Sequence, residues 1–206
     1  MPIKVLDDHT INKIAAGEVV ERPASVLREL LENSIDAGST IIQIQLQGGG
    51  SKLIRIRDNG SGMSRDDARM CLLRHATSKI TSDEDIFHIT SLGFRGEAIP
   101  SIASISKFEI LTRREEDSVG TRITVEGGKT VSVEDAGCPV GTQITVKDLF
   151  FNVPARLKFL RRESTELSHC IATVTQEILI RPELDVTLTH KQSTLIRASK
   201  VDSIPK

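Results

Sequence analysis

The sequence predicts an α+β fold, a two-layer sandwich in which helices cover a mixed, largely antiparallel sheet. Three observations point there. Segments of period two are grouped with one another instead of alternating with helices one for one. Helical stretches flank that group on both sides. The 206 residues suffice for one domain with its own core.

A short first helix is expected over residues 8–16. A second begins at Pro23, a residue suited to the first helical turn, and runs to about Asp36, with Gly38 as the stop. Over residues 40–47, Ile42, Ile44 and Leu46 alternate with Gln43, Gln45 and Gln47, the pattern of a half-buried strand. Gly48-Gly49-Gly50 makes a turn. Residues 52–57 alternate again, Ile54 and Ile56 against Arg55 and Arg57, so the two runs read as a hairpin. Asp58-Asn59-Gly60-Ser61-Gly62 follows as a loop, and Ser64 with Asp67 reads as a capping box opening a helix to about His75.

Residues 76–99 are irregular and contain glycine, with one short helix near residues 82–88. This is longer than an ordinary connection, which marks it as a binding loop or lid. A helix starts or kinks at Pro100. Strands are expected at residues 107–113, 121–126, 130–134 and 142–147, helices at 154–162 and 164–180, and strands again at 186–189 and 194–197. Residues 1–200 are read as one domain and 201–206 as the start of a linker.

Composition narrows the function. Hydrophobic residues make up 38% and charged residues 27%, the balance of a soluble globular protein. No stretch approaches the roughly 20 apolar residues that span a bilayer, and the N-terminus has no apolar signal core. A cytoplasmic protein with no membrane partner is expected. Cys71, Cys138 and Cys170 are widely spaced and odd in number, which suits neither a disulfide framework nor a zinc site. The net charge of −1 supplies no overall field for DNA, and without Trp or Tyr a stacking platform for bases is not expected. Any nucleic acid is then met through a local patch, another domain or a partner.

Four constellations could carry chemistry. On the second helix, Glu29, Asn33 and Asp36 fall within about 60° of one another at 100° per residue, with Leu27, Leu30, Leu31 and Ile35 over much of the opposite side. A carboxylate there can accept a proton from water, and a neutral amide oxygen one turn on is a hard ligand for Mg²⁺. Alone, the stripe reads better as a solvated face. Asp58-Asn59-Gly60-Ser61-Gly62, taken alone, is a turn. Functionally, Asp58 could accept from the amine of adenine while Gly60 and Gly62 let the backbone approach the base. Gly93-Phe94-Arg95-Gly96-Glu97-Ala98 could form a nest of N–H groups for phosphate, helped by Thr77, Ser78 and Lys79, although a mobile surface loop fits it equally. No Gly-Lys-Ser/Thr phosphate loop occurs in the chain. Last comes Gly141-Thr142 at a strand start.

The order Glu-x-x-x-Asn, Asp-x-Gly-x-Gly, glycine lid, Gly-Thr resembles the gyrase, heat-shock chaperone, histidine kinase and MutL ATPases. Ile14-Ala15-Ala16-Gly17-Glu18-Val19-Val20 and Gly93-Phe94-Arg95-Gly96-Glu97-Ala98 look like MutL signatures, the second highly specific. Arg74-His75-Ala76-Thr77-Ser78-Lys79 and Phe151-Asn152-Val153-Pro154-Ala155-Arg156 match too, so the resemblance covers nearly all of the chain.

That resemblance implies the Bergerat-type ATP-binding fold and a Mg²⁺-dependent ATPase. It makes Glu29 the general base, Asn33 the Mg²⁺ ligand, and Asp58 the reader of adenine with Thr142 in support. Asp36, Gly60, Gly62 and Met63 would line the nucleotide pocket. Thr77, Ser78, Lys79 and the backbone of Gly93, Phe94, Arg95, Gly96, Glu97 and Ala98 would wrap the triphosphate. It further implies lid ordering and homodimerisation on ATP binding, a mismatch-recognition protein and a downstream nuclease or helicase as partners, and weak, non-specific contact with DNA. In the family a second subdomain supplies a lysine to the terminal phosphate. Without it, slow hydrolysis and a mostly monomeric state are expected.

Two other readings compete. A histidine kinase catalytic domain would need an upstream helical segment bearing a phosphorylatable His, and the chain opens instead on the ATPase's own first helix. A DNA-binding scaffold would rest on the basic run Arg156, Lys158, Arg161 and Arg162, which is more often a solvated face.

Overall fold

The computed structural model describes residues 20–74, 76 and 96–200. The expected helices at 8–16 and 82–88, and residues 201–206, lie outside them. The described elements follow the predicted order. Helix α1 (Pro23–Asp36) leads into a hairpin of β1 (Ile41–Gln47) and β2 (Leu53–Asp58) across a 3₁₀ turn at Gly48–Gly50. Short helices α2 (Arg65–Met70) and α3 (Ala98–Ser104) precede β3 (Lys107–Arg113), β4 (Gly120–Glu126), β5 (Lys129–Ala136) and β6 (Gly141–Lys147). Then come α4 (Pro154–Phe159), α5 (Glu163–Ile180), β7 (Asp185–His190) and β8 (Ser193–Ala198).

The strands form one sheet in the order β5-β4-β3-β6-β2-β1-β7-β8. Every adjacent pair is antiparallel except β1 with β7, which is parallel and set by the long α5 crossover. The mixed, largely antiparallel sheet of the sequence reading is therefore present. Its two faces differ sharply. Ile42, Ile44, Leu46, Ile54, Ile56, Phe108, Ile110, Ile123, Val146, Val186 and Leu188 point to the helix side and are at most 2% exposed. Leu27, Leu30 and Leu31 of α1 complete this core, each burial being worth about 1.5–3 kcal/mol.

Local chemistry explains the element ends. Pro23 opens α1 without a side-chain cap. At the other end, the Gly38 N–H donates to Ile35 O at 2.9 Å and the Ser39 N–H to Ser34 O at 3.2 Å, the Schellman closure expected of Gly38. The Asp67 N–H donates to Ser64 Oγ at 3.1 Å, as the predicted cap requires. Helix α2 stops at Met70, short of the predicted end near His75. The Leu72 N–H donates to Arg69 O at 3.3 Å and the Leu73 N–H to Met70 O at 2.9 Å, i→i−3 bonds that tighten the chain into a turn there. Helix α4 likewise ends at Phe159, short of residue 162, because Leu160 turns to an extended conformation and packs against the core.

All three cysteines are free. Burial pushes the Cys71 and Cys170 thiols up to about 12, so both stay neutral packing groups. Among the described residues, no helix is long and apolar enough to cross a membrane.

Candidate functional site

Asp58 ends β2 in a phase that the pattern assigns to the core, after Ile54 and Ile56, and it is 8% exposed. A carboxylate so placed needs donors. Oδ1 accepts from the Gly60 N–H at 2.9 Å and the Thr142 N–H at 3.1 Å. Oδ2 accepts from Ser34 Oγ at 3.0 Å. A carboxylate offers about four lone-pair directions; these donors use three, and the Ser39 hydroxyl lies near enough to act on the carboxyl as well. Burial raises the Asp58 carboxyl above its ordinary 3.8, against the lowering effect of the Gly60, Ser34 and Thr142 hydrogen bonds.

A second buried polar group organises the neighbouring strands. Thr112, 0% exposed, accepts from the Met63 N–H at 2.9 Å and donates to Gly141 O at 3.1 Å. Its single proton being used there, the contact of 3.0 Å with Thr142 Oγ1 has Thr142 as donor. The lone pairs of the Thr142 hydroxyl stay available as acceptors.

The glycines knit this region together. A Cβ at Gly62, where φ is +70°, would lie 2.1 Å from Arg113 O. One at Gly141, where φ is +112°, would lie 2.2 Å from Asp58 O. Only glycine allows both the left-handed backbone and the approach. At Gly60 the Cβ would meet Ser39 Oγ at 2.7 Å and Ala37 O at 2.8 Å. The space these glycines free is thus taken up by neighbouring protein, and through it the loop closes onto the ends of α1, β3 and β6. The Ser61 N–H also donates to Ala37 O at 3.0 Å. Asn59 does structural work: its Oδ1 accepts from the N–H groups of Thr40 and Ile41 at 2.9 and 2.8 Å.

Helix α1 reaches this region through Ser34, which donates to Asp58, and it carries Glu29 and Asn33 on the same helix. Glu29 and Asn33 are half-buried and Asp36 is exposed. Burial first, and the charge of Glu29 next, hold the Glu32 carboxyl above the usual range. A Cβ at Gly96 would lie 2.5 Å from Ala76 O, so the chain at 76 and at 96 meets backbone to backbone. Glu97 takes the N-cap position of α3, its side chain making no capping hydrogen bond, and Ala98 is the first helical residue. Thr77, Ser78, Lys79, Gly93, Phe94 and Arg95 lie outside the described residues. Of the sequence candidates, then, Asp58, Gly60, Gly62, Met63 and Thr142 are gathered into one hydrogen-bonded cluster reached by α1.

Two members of that cluster were missed, Ser34 and Thr112. Both carry a readable signal. Ser34 continues the apolar stripe of Leu27, Leu30 and Leu31, and Thr112 continues Phe108 and Ile110.

The model of the histidine kinase-, DNA gyrase B- and HSP90-like ATPases matches residues 21–143, which hold α1, the Asp58 loop and Gly141-Thr142. The chain belongs to that ATPase family. Within it, the sequence sides with the MutL proteins. It is 55% identical over 200 residues to the DNA mismatch repair protein MutL of Acidobacterium capsulatum, covering 97% of this chain and 30% of that one. It is 53% identical to the MutL of Koribacter versatilis, covering 97% and 31%. The chain thus spans about a third of the length of these relatives. Among solved structures, it superposes on the Aquifex aeolicus MutL ATPase domain complexed with ADP with a TM-score of 0.71 and 33% identity, over 89% of this chain and 66% of that one.

The Asp58 carboxylate carries a pH prediction. If it is the acceptor for a nucleotide amine, an added proton competes with that amine for a carboxylate oxygen. Because the Asp58 carboxyl is raised above 3.8, affinity for an adenine nucleotide falls as pH drops through that raised value. Calorimetric titration at descending pH should show this step, and Asp58→Asn should remove it. A step that persists in Asp58→Asn belongs to another group.

Proposed function

We propose that the chain is the ATP-binding and ATP-hydrolysing domain of a DNA mismatch-repair protein. The observation that carries the reading is the buried Asp58 carboxylate, held in place by Ser34, Gly60 and Thr142. A buried carboxylate acceptor in a low-dielectric setting suits the exocyclic amine of adenine. Thr142 supports the base through its hydroxyl, and Asp36, Gly60, Gly62 and Met63 shape the pocket. The similarity to an ADP-complexed MutL ATPase domain supports a nucleotide here.

Glu29 is the general base: its carboxylate takes the proton of the attacking water and holds it while the terminal phosphoryl group is displaced. Asn33 is the proposed Mg²⁺ ligand. A neutral amide oxygen fits a hard cation, and among the described residues no group of three or more His, Cys, Asp or Glu could hold a metal by itself. The remaining ligands would then be phosphate oxygens and water, the usual Mg²⁺ pattern. Bound there, Mg²⁺ would supply charge neutralisation at the phosphates. Residues 77–79 and 93–98 wrap the triphosphate in this proposal, and their ordering on ATP drives homodimerisation. The mismatch-recognition protein, a downstream nuclease or helicase, and weak non-specific DNA contact are proposed partners of the longer protein, acting in the cytoplasm. Slow turnover belongs to the same proposal.

Phosphate release tests the metal. Excess chelator should reduce hydrolysis to the uncatalysed background, and added Mg²⁺ should restore it. Hydrolysis that survives chelation removes the metal from the mechanism.

A further inference from the structure

The polar face of the sheet, opposite α1, is chemically one-sided. Across four strands the register sets Thr187, Gln43, Arg57 and Gln143 in one row, and Thr189, Gln45, Arg55 and Thr145 in the next. A third row holds Gln47, Leu53 and Lys147. These rows carry amides, hydroxyls and cations, and no carboxylate.

At the hairpin end of this face lies a cavity of about 260 Å³, lined by Gln45, Gln47, Lys52, Leu53, Arg55 and Lys147. Three cations and two amides share it. Arg55 Nη1 donates to Gln45 Oε1 at 3.0 Å, which turns that oxygen to Arg55 and leaves the Gln45 amide N–H pair as a donor. Arg55 Nε is buried with no protein partner among the described residues. Directly across the strand, Thr145 Oγ1 is in the same condition on a residue 2% exposed. Facing carboxylates are few and engaged. Asp148 lies 3.1 Å from Lys107 and 3.8 Å from Lys52. Glu163 pairs with Lys191 and His190, both at 3.3 Å. Glu109 stands beyond Thr145, near Arg122.

We propose that this cavity is a second anion site, taking an oxyanion of the phosphate class on Lys52, Arg55 and Lys147 with Gln45 and Gln47 as neutral donors. Three cations beside amide N–H donors select a ligand rich in acceptors, and Arg forks phosphate oxygens in pairs. Two sources present that chemistry: a free phosphate or diphosphate, and the phosphodiester backbone of a nucleic acid. The net charge of −1 makes any such attraction local to this face. The site is independent of the nucleotide reading, because Asp58 belongs to the other face of the sheet.

Amide NMR on the whole chain tests it, with pyrophosphate and a short single-stranded oligonucleotide as probes. The expected result is saturable shifts at Gln45, Arg55 and Lys147, unchanged in Asp58→Ala. Binding should weaken at least about tenfold in the double variant Lys52→Glu and Lys147→Glu, the scale of two lost charge-assisted contacts. If the oligonucleotide displaces pyrophosphate, and its salt dependence flattens in the variant, the backbone is the ligand. If pyrophosphate alone binds, the site takes a free phosphate. Both lysines are exposed, and the single variant Lys147→Gln serves if the double variant does not fold. Equal affinity in variant and unmodified protein, or shifts confined to the Asp58 region, would overturn the proposal.

Discussion

Asp58→Ala is expected to abolish detectable binding of ATP while the fold persists. The change removes the proposed acceptor for the adenine amine and strands three donors, the Ser34 hydroxyl and the N–H groups of Gly60 and Thr142. A buried donor left without its partner costs about 1–3 kcal/mol. That local strain loosens the loop that shapes the pocket, so the effect on binding exceeds one lost hydrogen bond. The same carboxylate makes a selectivity prediction. Adenine presents a donor where guanine presents an oxygen, and two acceptors then face each other. ATP is expected to bind better than GTP by at least about 1–3 kcal/mol, or about 5- to 150-fold. Calorimetry is the suitable readout, since the chain has no Trp or Tyr. Equal affinities for the two nucleotides would take Asp58 out of base recognition.

Glu29→Gln is expected to separate binding from hydrolysis. The amide keeps the size of the side chain and its half-buried place on α1, but it cannot take a proton from water. General-base catalysis contributes about 10²–10⁴-fold, and turnover should fall by that factor while ATP affinity stays near that of the unmodified chain. Phosphate release in single turnover, beside calorimetry on the same preparation, measures both quantities. Turnover within a few-fold of the unmodified chain would move the base elsewhere; a parallel loss of affinity would give Glu29 a binding role instead.

Much of this site was legible because polar residues broke a pattern. Asp58 stands in the core phase of β2, after Ile54 and Ile56, and only a group with work to do survives burial there. The same logic marks Ser34 and Thr112, yet neither was singled out. A hydroxyl at a core position is a weaker anomaly than a charge, because it can satisfy itself locally: Ser104 and Ser106 do so on Ser101 O and Ile102 O. Gly60 and Gly62 were noticed for a different reason from the one the structure displays. As letters they promise room for a base. In place, their absent side chains make room for Ala37, Ser39 and the Arg113 backbone, neighbours that no local reading of the motif can supply.

The sequence by itself determined the elements and their faces. Alternation of Ile42, Ile44 and Leu46 with glutamines states which side of β1 is buried, since a strand shows its side chains to two faces in turn. Leu27, Leu30 and Leu31 state the same for α1, since a helix repeats every 3.6 residues. Those are short-range consequences of backbone geometry. Only the tertiary structure decided who meets whom. It placed β6 between β3 and β2, so that the Thr142 N–H reaches Asp58 across 84 positions of sequence. It set β7 parallel to β1, and it assembled Arg55, Thr145 and Lys147 into one polar face. Strand order and register depend on how all the apolar faces close together at once, and that sum is written in no single segment.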